Sequence, residues 1–135
     1  LTIMRATCTD PNPLQDFCVA DTTSTLFLNG FPCLNPSTVT AAHFKTSALG
    51  VPGNTSANPF GFNVTLTTPK NLPGFNTQGI AIARTDFAKG GLVPPHIHPR
   101  ASEITFVVDG KVLVGFVDTS NKLFTQILKA GDVFV

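Results

Sequence analysis

The sequence predicts an all-β domain, a sandwich or a barrel, and three observations carry that prediction. Eleven glycines, eleven prolines and twelve phenylalanines, with frequent Thr and Val, favour short strands and many turns over long helices. Several short segments alternate apolar and polar residues between turn signals, the spacing of sandwiches and barrels. A chain of 135 residues with 42% hydrophobic content has room for one core and is globular rather than disordered. Trp and Tyr are absent, so Phe supplies all aromatic packing.

Two readings of residues 1–8, LTIMRATC, stand side by side. Ala6 and Cys8 place small residues at the minus-three and minus-one positions of a secretory cleavage site ahead of Thr9, which makes the segment a signal-peptide remnant. An N-terminal strand through Leu1, Ile3 and Met4 is the alternative. The domain proper is then 9–135. Residues 50–61, GVPGNTSANPFG, are a connecting loop rather than a domain boundary. Residues 63–68 and 79–87 alternate as strands, and 103–108 and 111–117 flank Asp109-Gly110, a hairpin signal. Residues 118–122 then lead into a strand at 123–128. No internal repeat is visible, and no apolar run approaches the roughly 20 residues of a spanning helix. A net charge of +1 gives no concentrated basic surface for nucleic acid or an anionic membrane.

The chemistry concentrates in residues 90–110, GGLVPPHIHPRASEITFVVDG. Histidines separated by one residue project from the same face of an extended strand, so His96 and His98 can reach one ion. Residues 99–102 form a turn-prone stretch that sets the Glu103 carboxylate opposite the histidine pair. Imidazole nitrogen with carboxylate oxygen suits a divalent first-row metal. An isolated His-x-His is often incidental. Here Pro94, Pro95 and Pro99 stiffen the backbone around both histidines, and only three histidines occur in the chain. The third, His43, lies outside the predicted strands and reads as a locally bonded or surface residue.

The spacing from Gly90 to Gly110, five residues, His-x-His, four residues, Glu and six residues, is similar to the first signature motif of the cupin superfamily. More narrowly the chain resembles the plant germin-like proteins, through TDPNPLQDFCVAD at 9–21, NGFPC at 29–33, PGFNT at 73–77, PPHIHPRASE at 94–103 and NKLF at 121–124. That resemblance implies a jelly-roll barrel, the double-stranded β-helix of cupins, with a metal inside. Residues 129–135, KAGDVFV, resemble the opening of the second motif, whose later part would supply a fourth ligand, a histidine beyond Val135. The chain is therefore expected to be the N-terminal part of one cupin domain, incomplete at its C-terminus, with exposed sheet edges.

The resemblance also implies manganese, secretion to the apoplast or cell wall, and a hexamer built as a trimer of dimers. It implies a Cys18–Cys33 disulfide, which closes a loop of about 15 residues and stabilises by roughly 3 kcal/mol in the chain-entropy model. By spacing alone, three reduced thiols remain an alternative. Asn54 and Asn63 begin glycosylation sequons, as a secreted chain would carry. Two activities accompany the family, oxalate oxidase and superoxide dismutase. Oxalate-oxidising germins orient the dicarboxylate with two asparagines, and Ala83 and Val93 occupy those positions here. Neither side chain can donate a hydrogen bond, and a hydrogen bond to a charged group is worth about 1.5 to 3 kcal/mol. Superoxide needs only access, charge and a redox-active metal. A metal-stabilised cell-wall binding or storage protein without turnover is the non-catalytic alternative.

Overall fold

The computed structural model describes residues 15–28 and 30–135. The proposed signal remnant at 1–8, Cys8, residues 9–14 and Asn29 lie outside the described residues. The chain divides into two compact units, Leu1–Val93 and Pro94–Val135.

In the first unit, β1 (Phe62–Leu66) pairs antiparallel with β2 (Ala83–Phe87), placing Phe62 opposite Phe87 and Leu66 opposite Ala83. The two strands predicted at 63–68 and 79–87 are thus present, the second shorter at its start. Gly79 has a positive φ of 68°, a turn conformation, and only Ile82 of the intervening residues extends the pairing, accepting from Thr67 N–H at 2.9 Å. Connections are single turns of 3-10 helix at Pro36–Thr38, Ala41–Phe44, Ala48–Gly50, Thr55–Ala57 and Pro73–Phe75. Two of them start locally, because the Asn35 and Asn54 side chains accept from the N–H groups of Ser37 and Ser56.

The buried centre of this unit is small: Cys18, Val19, Ala20 and Leu72, with the polar Thr67 and Asn76. Backbone bonds hold the arm there, from Ala20 N–H to Pro73 O and from Leu34 N–H to Val19 O. The Cys18–Cys33 disulfide is present, with Cα atoms 4.9 Å apart, beside an antiparallel bridge between Ala20 and Cys33. Asn76 is 1% exposed, a burial its amide tolerates because both ends are used. Oδ1 accepts from Phe31 N–H at 3.1 Å, while Nδ2 donates to Phe31 O at 2.8 Å and to Cys18 Sγ at 3.3 Å. One side chain therefore ties the PGFNT segment to both ends of the disulfide loop.

In the second unit, β3 (Thr105–Phe106) pairs with β6 (Val133–Phe134), and β4 (Lys111–Val117) pairs with β5 (Leu123–Lys129), both antiparallel. The β4–β5 hairpin is closed by Asp118, whose Oδ1 accepts from Ser120 N–H, Ser120 Oγ–H and Lys122 N–H. Phe116 stacks on Phe124 with ring centroids 5.0 Å apart and lies 5.9 Å from Phe134, while Val107 and Leu128 are buried.

Asp109-Gly110 does not close a hairpin between paired strands, contrary to the sequence expectation. Gly110 does turn, with φ of 80°, but it passes the chain from β3 to β4 in different sheets. The partner of β3 is β6, because Val107 N–H bonds Asp132 O and Gly131 N–H bonds Val107 O, committing that edge to the far segment. No helix among the described residues is long and apolar enough to cross a membrane.

Candidate metal centre

His96, His98 and Glu103 all belong to the Pro94–Val135 unit, and the structure brings them together. The segment carrying the histidines is irregular and is not the strand that the sequence predicts. Proline supplies the physical reason: Pro94, Pro95 and Pro99 lack the N–H donors that a ladder needs, so the segment stays unpaired while both imidazoles still meet, Nε2 to Nε2. Beyond His98 the backbone reverses through Pro99-Arg100, closed by Ala101 N–H donating to His98 O at 3.3 Å. Proline in the second position of this turn has its φ already set. The reversal returns Glu103 to the histidines, as the turn-prone spacing predicts.

Three donor atoms converge. His96 Nε2 and His98 Nε2 are 3.0 Å apart, His98 Nε2 is 3.1 Å from Glu103 Oε2, and His96 Nε2 is 3.9 Å from the same oxygen. Two donors each about 2.1 Å from a common ion lie about 3.0 Å apart at a right angle and about 3.4 Å apart in a tetrahedron. The two short separations fall near the first value and the third, at 3.9 Å, exceeds both, so the three side chains surround one point loosely. Nitrogen and carboxylate oxygen as the donor set, with these separations, fit a divalent first-row metal. Side-chain exposures of 51% for His96, 48% for His98 and 57% for Glu103 leave the donors open to solvent and small anions.

A backbone group completes the arrangement. His96 Nδ1 lies 3.0 Å from Pro94 O, and a carbonyl only accepts, so Nδ1 carries the proton. The lone pair is then on Nε2, the atom that faces the other donors. Reading the sequence for side chains misses this carbonyl; the Pro94-Pro95 pair immediately before the histidine is its signal.

The remaining predicted positions lie in the first unit. His43 Nδ1 accepts from Thr40 N–H at 2.9 Å within its own turn, in line with its exclusion from the site. Ala83 is exposed at the start of β2, and Val93 is half-buried. Asn54 is exposed at the head of a turn. Asn63 is half-buried in β1 and packs directly against Gly53. The sequence reading passes over Arg84 and Asp86, whose ion pair at 2.8 Å also receives Gly53 N–H on Asp86 Oδ2 at 2.8 Å. The Arg84 side-chain hydrogen bond, then the Gly53 N–H, hold the Asp86 carboxyl below the usual range.

Residues 47–135 match the Cupin family. The chain is 53% identical over 136 residues to germin-like protein subfamily 1 member 1 of Arabidopsis thaliana, covering 98% of this chain and 63% of that protein. A solved oxalate oxidase structure superposes with a TM-score of 0.84 at 44% identity, covering 93% of this chain and 64% of that one. Peruvianin-I, a cysteine peptidase from Thevetia peruviana latex, superposes with a TM-score of 0.83 at 40% identity, covering 93% and 77%. The chain spans about three fifths of the length of the curated relatives it matches. With the paired short strands, the disulfide and the His-x-His-Glu turn already in place, these likenesses settle the family: the chain belongs to the all-β cupins and, within them, to the germin-like proteins.

Proposed function

We propose that the protein is a secreted, manganese-binding germin-like protein with superoxide dismutase-type activity, serving defence or cell-wall oxidative chemistry in the apoplast. The observation that carries the reading is the convergence of His96, His98 and Glu103 on one solvent-open point. The family resemblance selects manganese, since the general affinity order would place copper and zinc above it. By the family resemblance, the fourth ligand would be a histidine of the second cupin motif.

Bound manganese supplies a one-electron couple, so that two superoxide ions and two protons become dioxygen and hydrogen peroxide. The chain's own residues hold and tune the ion. His96 and His98 offer neutral nitrogen, and the Glu103 carboxylate offsets one unit of its charge. Half-exposed ligands leave space for a small anion, and water supplies the protons, so no side chain need act as a general base.

Oxalate is a poor fit, because Ala83 and Val93 offer no hydrogen bond where the resemblance implies asparagines. A cysteine-peptidase reading finds no support among the described residues, since Cys18 and Cys33 are joined and neither presents a thiolate. The same disulfide supports an oxidising, extracellular compartment. Asn54 is the more accessible of the two glycosylation acceptors. Apolar side chains left exposed, among them Phe27, Phe60 and Phe106, support a homo-oligomer, with a hexamer as the expected form.

Metal analysis paired with superoxide and oxalate assays on the purified, manganese-loaded protein tests the proposal. Dismutase activity proportional to bound manganese and negligible oxalate turnover are expected. The variant carrying His96→Ala and His98→Ala should lose both manganese and activity. Full dismutase activity in that variant despite absent metal, or robust oxalate turnover in the parent, would refute the reading. Stoichiometric manganese without any turnover would instead establish the storage alternative.

A further inference from the structure

We propose that the Cys18–Cys33 disulfide is a one-sided exchange site: a small thiol adds at Cys33, while Cys18 stays behind as the resolving sulfur, positioned by Asn76. Both cysteines and Asn76 belong to the Leu1–Val93 unit, and none of the metal ligands takes part.

The two halves of this disulfide have different surroundings. Cys18 is 3% exposed, whereas Cys33 is an exposed residue. Asn76 Nδ2 donates to Cys18 Sγ at 3.3 Å within the buried centre. The donor on the other side, Gln15 Nε2, is 3.7 Å from Cys33 Sγ and lies in solvent. Among the disulfides of secreted proteins the exposed ones are the labile ones, and which sulfur is attacked depends on access and on how well the departing sulfur carries negative charge. Both factors select the same direction here. An incoming thiolate reaches Cys33, and the Asn76 N–H stabilises the charge that collects on Cys18. Burial by itself disfavours a thiolate, so Asn76 is the contact that offsets it.

In the exchange the thiolate forms a bond to Cys33 Sγ and the Sγ–Sγ bond breaks. Its electron pair leaves on Cys18 Sγ, which takes up the proton that the thiol gave to water. One thiol and one disulfide thus become a mixed disulfide at Cys33 and a thiol at Cys18, with no other oxidant or reductant. Attack by Cys18 on Cys33 Sγ reverses the step and expels the small thiol. Backbone contacts that do not need the covalent bond keep the two residues together for that return. Ala20 bridges to Cys33, Leu34 N–H bonds Val19 O at 2.8 Å, and Asp21 N–H bonds Pro32 O at 2.8 Å.

The test uses the oxidised, folded protein in a Cys8→Ser background, which removes the third thiol. After incubation with reduced glutathione, acid quenching and alkylation of free thiols, peptide mass spectrometry reads the direction. Glutathione should be found on Cys33 and the alkyl group on Cys18, and removing glutathione should restore the disulfide without added oxidant. Asn76→Ala should form the adduct about 10-fold more slowly, the effect of losing one hydrogen bond to a charged group. Glutathione on Cys18, adducts shared equally between the two cysteines, or no adduct until urea unfolds the chain overturns the proposal. So does an unaltered or faster rate in a folded Asn76→Ala protein. The parent's adduct pattern decides the direction even if that variant misfolds. A second pair of variants checks access independently: the thiol left at Cys33 by Cys18→Ser should form a mixed disulfide with oxidised glutathione faster than the thiol left at Cys18 by Cys33→Ser, and equal rates count against the proposal.

Discussion

Asp86 accepts from Arg84 Nε and from Gly53 N–H, fastening strand β2 to the loop before β1, and its side chain is only 16% exposed. Because those donors favour the ionised form, its folded pKa lies below the unfolded one, with the Arg84 side-chain bond the largest cause. The unfolded chain therefore binds more protons in acid, and stability rises with pH through that range. The contribution is complete above the ordinary carboxylate range and is lost as pH falls below about 4. Asp86→Asn should lower the thermal midpoint at pH 7, with a smaller difference from wild type at pH 3. Asp21 and Asp118, also lowered by local hydrogen bonds from Thr23 and Ser120, keep a residual acid slope. A constant difference between the two proteins at both pH values would show that the ionised carboxylate is not what stabilises the loop. At this scale the convergence of His96, His98 and Glu103 is legible from sequence, since the turn-prone residues between them return the carboxylate to the imidazoles. Asn76 is not, because a buried amide is recognised by the backbone groups it satisfies, and those come from Phe31, 45 residues away in the sequence.

Pairing between elements depends on contacts that local patterning does not encode. The hydrophobic alternation at 63–68 and 79–87 locates β1 and β2, since a half-buried strand writes its period into its own residues. Asp109-Gly110 announces a turn, but which strand β3 accepts is decided by β6, whose Phe134 stands opposite Thr105. The close approach of Gly91 to Gly61 is another such contact, linking the segments at the open end of the β1–β2 pair. Ala88 N–H bonds Gly61 O at 2.8 Å, Leu92 N–H bonds Phe60 O at 2.9 Å, and a Cβ on Gly91 would collide with Gly61 O and lie 3.1 Å from Ala88 O. Gly91→Ala must push these backbones apart and should cost about 1 to 3 kcal/mol, the usual range for overpacking. Gly50→Ala, where an added Cβ meets nothing within 4 Å, is the matched control and should be neutral or slightly stabilising. Equal urea midpoints for the two variants would contradict the close approach.

For the molecule as a whole, the family motif announces an all-β cupin, yet how well the isolated chain covers its apolar surface depends on packing that no motif reports. The β4–β5 hairpin shows the consequence. Leu113 opposes Ile127 and Val117 opposes Leu123, and the alternation of the strands sets all four on one face. They are 68%, 64%, 60% and 64% exposed in that order, on a face where a solvated antiparallel sheet ordinarily carries polar side chains. Two exposed apolar pairs, separated by Gly115 and Thr125, favour association, each large aliphatic side chain contributing about 1.5 to 3 kcal/mol when fully buried. The 14.3 kDa chain should therefore self-associate at micromolar concentration, more strongly as sulfate is added, when followed by light scattering or sedimentation. Introducing Leu113→Lys and Ile127→Lys together places two like charges directly across the hairpin on that face, which adds repulsion between copies to the loss of apolar area. The double variant should shift the population to monomer while keeping the Cys18–Cys33 disulfide, which belongs to the other unit. Association undiminished in that variant would assign the contact to a different surface, and a monomer at every concentration in the parent would show that this face is tolerated in water.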